Sequence, residues 1–228
     1  MAQGQDHTVK AFDQDIVRLR GLISEMGGLA EQAIEMAMRA LQRGDIDLAA
    51  QVKAADAQID AIEAEVERMA VRVIALRAPM ANDLREVVAA LKIAGVVERI
   101  GDYAKNIAKR VPQIESEHRI EPLSILPAMA DMAAAMVRAA LDAFAARDAD
   151  AAIAVVERDN ALDDFYDSIF RTLVTHMVEN PKTIGQVAHL LFVAKNLERI
   201  GDHATNVAEM IYFAATGTRM AEREKANG

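Results

Sequence analysis

The chain has 228 residues, enough for one large domain or two small ones. Apolar residues make up 52%, aromatics only 4%, and Trp and Cys are absent. That composition suits helices better than sheets and excludes a disulfide framework or a thiolate metal site. A net charge of −9 argues against nucleic acid, which asks for a basic face.

No run of about 18 uncharged apolar residues marks a membrane-crossing helix. The N-terminal Met-Ala-Gln-Gly-Gln-Asp-His does not read as a secretory signal, so a cytoplasmic protein is expected.

Helical periodicity runs through nearly the whole chain. A first helix spans Asp6 to Gln42, with Ile16, Leu19, Ile23, Met26, Ala30, Ala33, Ala37 and Leu41 on one stripe. Gly27-Gly28 is a candidate bend, Arg43-Gly44 ends the helix, and Asp45 or Asp47 caps the next. The second helix carries Ile59, Ile62, Val66, Met69 and Val73 and stops before Pro79. A third runs from near Asn82 to about Val111. The interval from Val111 to Pro127 then collects three of the five prolines among charged residues and reads as a linker.

Beyond it the plan repeats. A fourth helix covers about Leu126 to Ala146, and Asp148-Ala-Asp150 echoes Asp45-Ile-Asp47. A fifth ends at Asn180-Pro181, and a sixth runs from about Lys182 to Ala215. The expected fold is all-α: six long helices in two similar three-helix bundles with an internal pseudo-twofold repeat. The bundles cover residues 1–113 and 127–217, joined by a linker at 114–126 and followed by a frayed polar tail at 218–228.

The repeat is sharpest at Glu98-Arg-Ile-Gly-Asp102-Tyr-Ala-Lys-Asn106-Ile-Ala108. It returns 100 residues later as Glu198-Arg-Ile-Gly-Asp202-His-Ala-Thr-Asn206-Val-Ala208, with eight of eleven positions identical. Two of the changes, Ile107 to Val207 and Lys105 to Thr205, read as keeping role or size. Packing alone asks for repeated apolar residues, so a repeated Glu-x-x-x-Asp asks for a chemical reason.

The preceding helices carry matching pairs, Asp56-x-x-x-Asp60 and Asp159-x-x-x-Asp163. A spacing of four sets both carboxylates on one helix face. If each helix pair folds as an antiparallel hairpin, residues equidistant from the turn share a height. Asp60 and Glu98 each lie 19 residues from Pro79, and Asp56 and Asp102 each lie 23 from it. Asp163 with Glu198, and Asp159 with Asp202, are likewise equidistant from Asn180-Pro181.

Each hairpin therefore gathers four carboxylates, at a bundle rim well off the main apolar stripe. Such a group repels itself unless a cation, Arg99 and Arg199, or protonation compensates. A solvated acidic face is the plain alternative, and the doubling of the arrangement favours a hard-cation site. Oxygen ligands suit magnesium, manganese, calcium, iron or zinc, and bridging carboxylates would favour a multinuclear centre.

Asn106 and Asn206 lie one turn further along, and His203 is an accessory ligand at most, because its counterpart is Tyr103. Gly101 and Gly201 cost about 1 kcal/mol each in mid-helix, which points to something approaching the backbone there. His176 and His189 occur singly and read as structural. Glu115-Ser-Glu-His118 has di-iron spacing but sits once, in the linker. The methionines fall on core stripes.

These motifs, with Leu76-Arg-Ala-Pro79 and Asp83-Leu-Arg85, resemble the PhoU family of bacterial phosphate-signalling regulators across almost the whole chain. The resemblance implies two similar three-helix bundles, with metal clusters held on the bundle surface in some members. By position it implicates Asp56, Asp60, Glu98 and Asp102 in the first half and Asp159, Asp163, Glu198 and Asp202 in the second. It further implies a homodimeric negative regulator of the phosphate-starvation response, without catalytic residues. Its partners would be a membrane sensor histidine kinase (PhoR-like) and the ATPase subunit of the phosphate transporter (PstB-like).

The competing class is a carboxylate-bridged di-metal oxidase or hydrolase. It would require paired Glu-x-x-His motifs inside one core, which the chain lacks.

Overall fold

The computed structural model describes residues 2–114 and 121–220, with side chains placed for 11–114 and 123–220. Six long helices account for most of them: α1 (Ala2–Arg43), α2 (Ile46–Arg77), α3 (Asn82–Ala108), α4 (Leu126–Ala146), α5 (Ala149–Glu179) and α6 (Ile184–Thr216). No strand occurs among the described residues. Short 3-10 turns cover Val111–Gln113, Glu121–Ile125 and Pro181–Thr183, which shortens the third helix and delays the sixth relative to expectation. The expected Glu115–His118 segment and most of the expected tail lie outside the described residues.

Local chemistry sets the helix starts. The Asp45 carboxylate accepts from the Leu48 amide at 2.9 Å, which makes Asp45 rather than Asp47 the cap of α2. Asp148 repeats the device on α5, accepting from the Asp150 and Ala151 amides at 2.9 Å each. Each cap satisfies orphan amides of the first turn. α2 ends at Ala78 in the left-handed region (φ 45), just before Pro79, which cannot continue the helix.

Helices α1, α2 and α3 pack on one another, and so do α4, α5 and α6, giving the two expected bundles. The bundles join through α3 against α6 and α1 against α4. One apolar core runs through both, from Ile23, Met26 and Ile93 to Met129, Leu162 and Leu197. Leu123–Ala146 is apolar enough to cross a membrane by length and composition alone. Its Met129, Ala133, Met136, Val137 and Ala140 are instead buried in this core.

Gly27 lies inside α1, which continues through it. A Cβ there would overlap Leu141 of α4, so the residue lets the two helices close on each other. Beyond α6, Met220 is buried at 9% exposure, while Thr218 and Arg219 are exposed.

The repeat has a physical axis. Tyr103 and His203, which occupy equivalent positions, meet edge to face with ring centroids 5.2 Å apart. Arg110 stacks over Phe192 at 3.8 Å, and the counterparts Lys92 and Met210 line one common groove. Residues 100 apart exchange roles across the α3–α6 contact, as an approximate twofold requires. A further tie joins the two bundles. Glu86 of α3 accepts from Arg20 of α1 at 2.7 Å and also pairs with Arg147 at the end of α4.

Candidate functional site

The α2–α3 hairpin brings its acids together as counted. The Lys105 ammonium contacts Asp102 at 2.5 Å and Asp56 at the same time, which sets those aspartates at one height. Asp56 is only 8% exposed, deeper than the expected rim position, while Asp60 is open to solvent. A fifth carboxylate joins them. Glu63 and Gly95 are each 16 residues from Pro79, and the Glu63 Oε1 lies 3.4 Å from where a Gly95 Cβ would stand.

Electrostatics follow from this crowding. Burial first, then the charges of Asp102, Glu63, Asp60 and Asp56, raises the Glu98 carboxyl to about 7. Glu63 is raised as well, by burial and then by Asp60 and Glu67. Burial alone would lower Lys105, but its bonds to Asp102 and Asp56 win and hold it charged.

The α5–α6 hairpin repeats the aspartates with different neighbours. Asp159, Asp163 and Asp202 each bring one carboxylate oxygen within 4.8 Å of the others. Asp159 Oδ1 is buried and has no hydrogen-bond partner. Burial, then Asp163 and Asp202, raises the Asp159 carboxyl, and the Thr205 hydroxyl opposes the rise. Asp163 is raised by burial and then by Glu198, with Lys195 opposing.

Lys195 takes the place of Gly95 and bonds Glu198 at 2.5 Å, with its ammonium 5.1 Å from the centre of the Tyr166 ring. Tyr166 in turn replaces Glu63. Lys105 and Thr205 therefore do not share a role. The lysine neutralises two aspartates, and the threonine brings no charge.

The glycines of the motif have a local explanation. A Cβ on Gly101 would stand 2.8 Å from Ile59 Cδ1 and 3.6 Å from Asp56 Oδ1. A Cβ on Gly201 would overlap Leu162 Cδ2 and stand 3.7 Å from Asp159 Oδ1. What approaches the backbone is the preceding helix, which is how its carboxylates reach across.

The accessory candidates lie around these clusters. Asn106 accepts from Lys109 at 3.1 Å, and Asn206 lines the groove with Lys92 and Met210. Arg99 and Arg199 are exposed, and neither pairs with a cluster carboxylate among the described residues. Arg199 sits 5.9 Å from the Tyr103 ring centre. His203 Nδ1 donates to the Arg199 carbonyl at 2.9 Å, at the twofold rather than inside a cluster. Among the described residues, the cations that meet these acids are Lys105 and Lys195.

Sequence reasoning missed Glu63, Lys105 and Lys195, although the count from each turn that found the aspartates also reaches Glu63. Lys105 follows Asp102 by three, and Lys195 precedes Glu198 by three. That spacing places each lysine on the acid's own face.

The comparisons with known proteins agree on one family. The family model described as PhoU domain matches residues 23–111 and again 126–211. A phosphate-specific transport system accessory protein PhoU homolog from Zymomonas mobilis is 55% identical over 96% of this chain and 92% of its own length. Its namesake from Caulobacter vibrioides is 44% identical over 96% of this chain and 95% of its own. The crystal structure of PhoU from Pseudomonas aeruginosa superposes with a TM-score of 0.86 at 37% identity, over 91% of this chain and all of that one. The phosphate transport system regulatory protein PhoU from Streptococcus pneumoniae gives the same score at 26% identity, over 92% and 99%.

Proposed function

This chain belongs to the PhoU family, and from that membership we propose that it is an accessory regulator of phosphate-specific transport. It acts as a negative regulator of the phosphate-starvation response. When phosphate is plentiful it links the transporter, through its ATPase subunit, to a membrane sensor histidine kinase and holds the kinase in a phosphatase-favouring state. The observation that carries this reading is the near full-length likeness to proteins named as accessory or regulatory in phosphate transport.

Its surface supports an adaptor. Both hairpin ends remote from the clusters expose apolar side chains, with Leu76 at 66% and Met80 at 80% in the first half and Val178 at 76% and Ile184 at 48% in the second. Paired apolar ends of this kind suit docking onto other proteins.

The clusters support a second element of the reading, binding of a hard divalent cation. In the second half the donor set fits. Asp159, Asp163 and Asp202 converge, and Asp159 Oδ1 is buried without a partner. A cation held there would supply positive charge that draws α5 and α6 together at this point. In the first half Asp56 and Asp102 already hold the Lys105 ammonium.

The regulatory reading is tested by deleting the gene. Phosphate-regulated genes should then be expressed in rich phosphate, and repression that stays normal would rule the reading out.

A further inference from the structure

We propose that Lys105 is a built-in counter-cation that closes the first carboxylate cluster, so that divalent cations bind this chain on one side only, at Asp159, Asp163 and Asp202. The inference rests on the reading that the clusters take a hard cation.

The internal repeat provides its own control. Asp56 and Asp102 correspond to Asp159 and Asp202, with Gly101 corresponding to Gly201, at one height on equivalent helices. In the first copy that aspartate pair seats a positive group, the Lys105 ammonium, which touches both carboxylates. The pair is therefore a cation seat, filled from within the chain.

In the second copy the same place belongs to Thr205, which carries no charge. Asp159 keeps a buried oxygen without a hydrogen-bond partner, and three carboxylate oxygens lie within 4.8 Å of one another, within reach of one ion. Lys195 does not replace Lys105. It stands at the other end of the cluster, bonded to Glu198 and facing Tyr166.

Diffuse charge does not separate the halves, since each cluster gathers several carboxylates around one lysine, with Glu63 added in the first and Asp164 and Asp167 in the second. Coordination instead favours the half whose aspartates are not already held. Diffuse attraction therefore predicts similar loss from both aspartate pairs, and coordination predicts loss from one.

The test is Mn²⁺ binding to the full chain after chelator dialysis, followed by calorimetric titration and by loss of the free-ion electron paramagnetic resonance signal. In the wild type, Asp159→Asn with Asp202→Asn should remove the binding, and Asp56→Asn with Asp102→Asn should leave it unchanged. Lys105→Thr should add a second set of ions in the first half. Thr205→Lys should weaken the second-half site by about tenfold or more, the scale on which changes around a metal site act. Because the Thr205→Lys arm does not depend on Lys105→Thr folding, the proposal stays open to refutation if that variant unfolds.

Equal loss from both aspartate pairs in the wild type would overturn the one-sided account and leave cation binding standing. An unchanged titration for Thr205→Lys would also overturn it. Absence of Mn²⁺ binding in every protein would remove the cation reading itself.

Discussion

Replacing Glu98 by Gln should stabilise the cation-free protein at alkaline pH and change little in acid. The carboxyl sits at about 7 rather than 4.5 because it is partly buried among Asp102, Glu63, Asp60 and Asp56. A raised acid binds its proton more tightly folded than unfolded, so stability falls as pH rises from about 4.5 to about 7. The full shift is worth about 3 kcal/mol at 1.36 kcal/mol per unit. Solvent reaches this edge of the hairpin, and screening reduces the effect to about 1 kcal/mol.

Glutamine keeps the shape and removes the charge. Urea unfolding of wild type and Glu98→Gln, in chelator, at half-unit steps from pH 4.5 to 8.5 reads the effect. The two stabilities should coincide near pH 4.5 and separate by about 1 kcal/mol above pH 7, equivalent to roughly 2–4 °C in melting temperature for a chain of this size. Parallel curves across that window would show that the carboxylates do not press on Glu98, and the crowded cluster would be wrong.

Three further outcomes follow from the same packing. Gly201→Ala should cost about 1–3 kcal/mol by overpacking, because Leu162 is fully buried and cannot move aside. Gly28→Ala, with nothing within 4 Å of the new Cβ, should instead stabilise by up to about 1 kcal/mol, and thermal melts compare the two. Glu86→Ala should cost about 1–2 kcal/mol, mostly by leaving the half-buried Arg20 without its carboxylate, since Arg147 is exposed. Hydrogen exchange should then show faster opening where α3 meets the end of α4. A variant as protected as the wild type there would deny the tie any role.

The fold was legible because its signals are one-dimensional. A 3.6-residue stripe marks each helix, and a turn proline fixes the register of an antiparallel hairpin by counting. That arithmetic placed Asp56 opposite Asp102, as the shared bond to Lys105 demonstrates. It also reaches Glu63 and Gly95, which were passed over because Glu63 belongs to no repeated motif.

Lys105 and Thr205 were misjudged for a different reason. Aligning two copies compares sizes and hides the partner that each side chain meets. Contacts between bundles were not legible at all, because nothing along the chain says which helix of one half faces which of the other. The meeting of Tyr103 with His203, and of Gly27 with Leu141, depends on that third dimension.

The most direct test joins the clusters to regulation. In a strain lacking its own copy of this regulator, expression of a phosphate-regulated reporter in rich phosphate can be measured with wild type and with Asp159→Asn/Asp202→Asn, each checked for helical content and bound Mn²⁺. The wild type should restore repression, and the folded, cation-free variant should leave the reporter on. Full repression by a folded variant that binds no cation would contradict the account, because regulation would then proceed without the second carboxylate cluster.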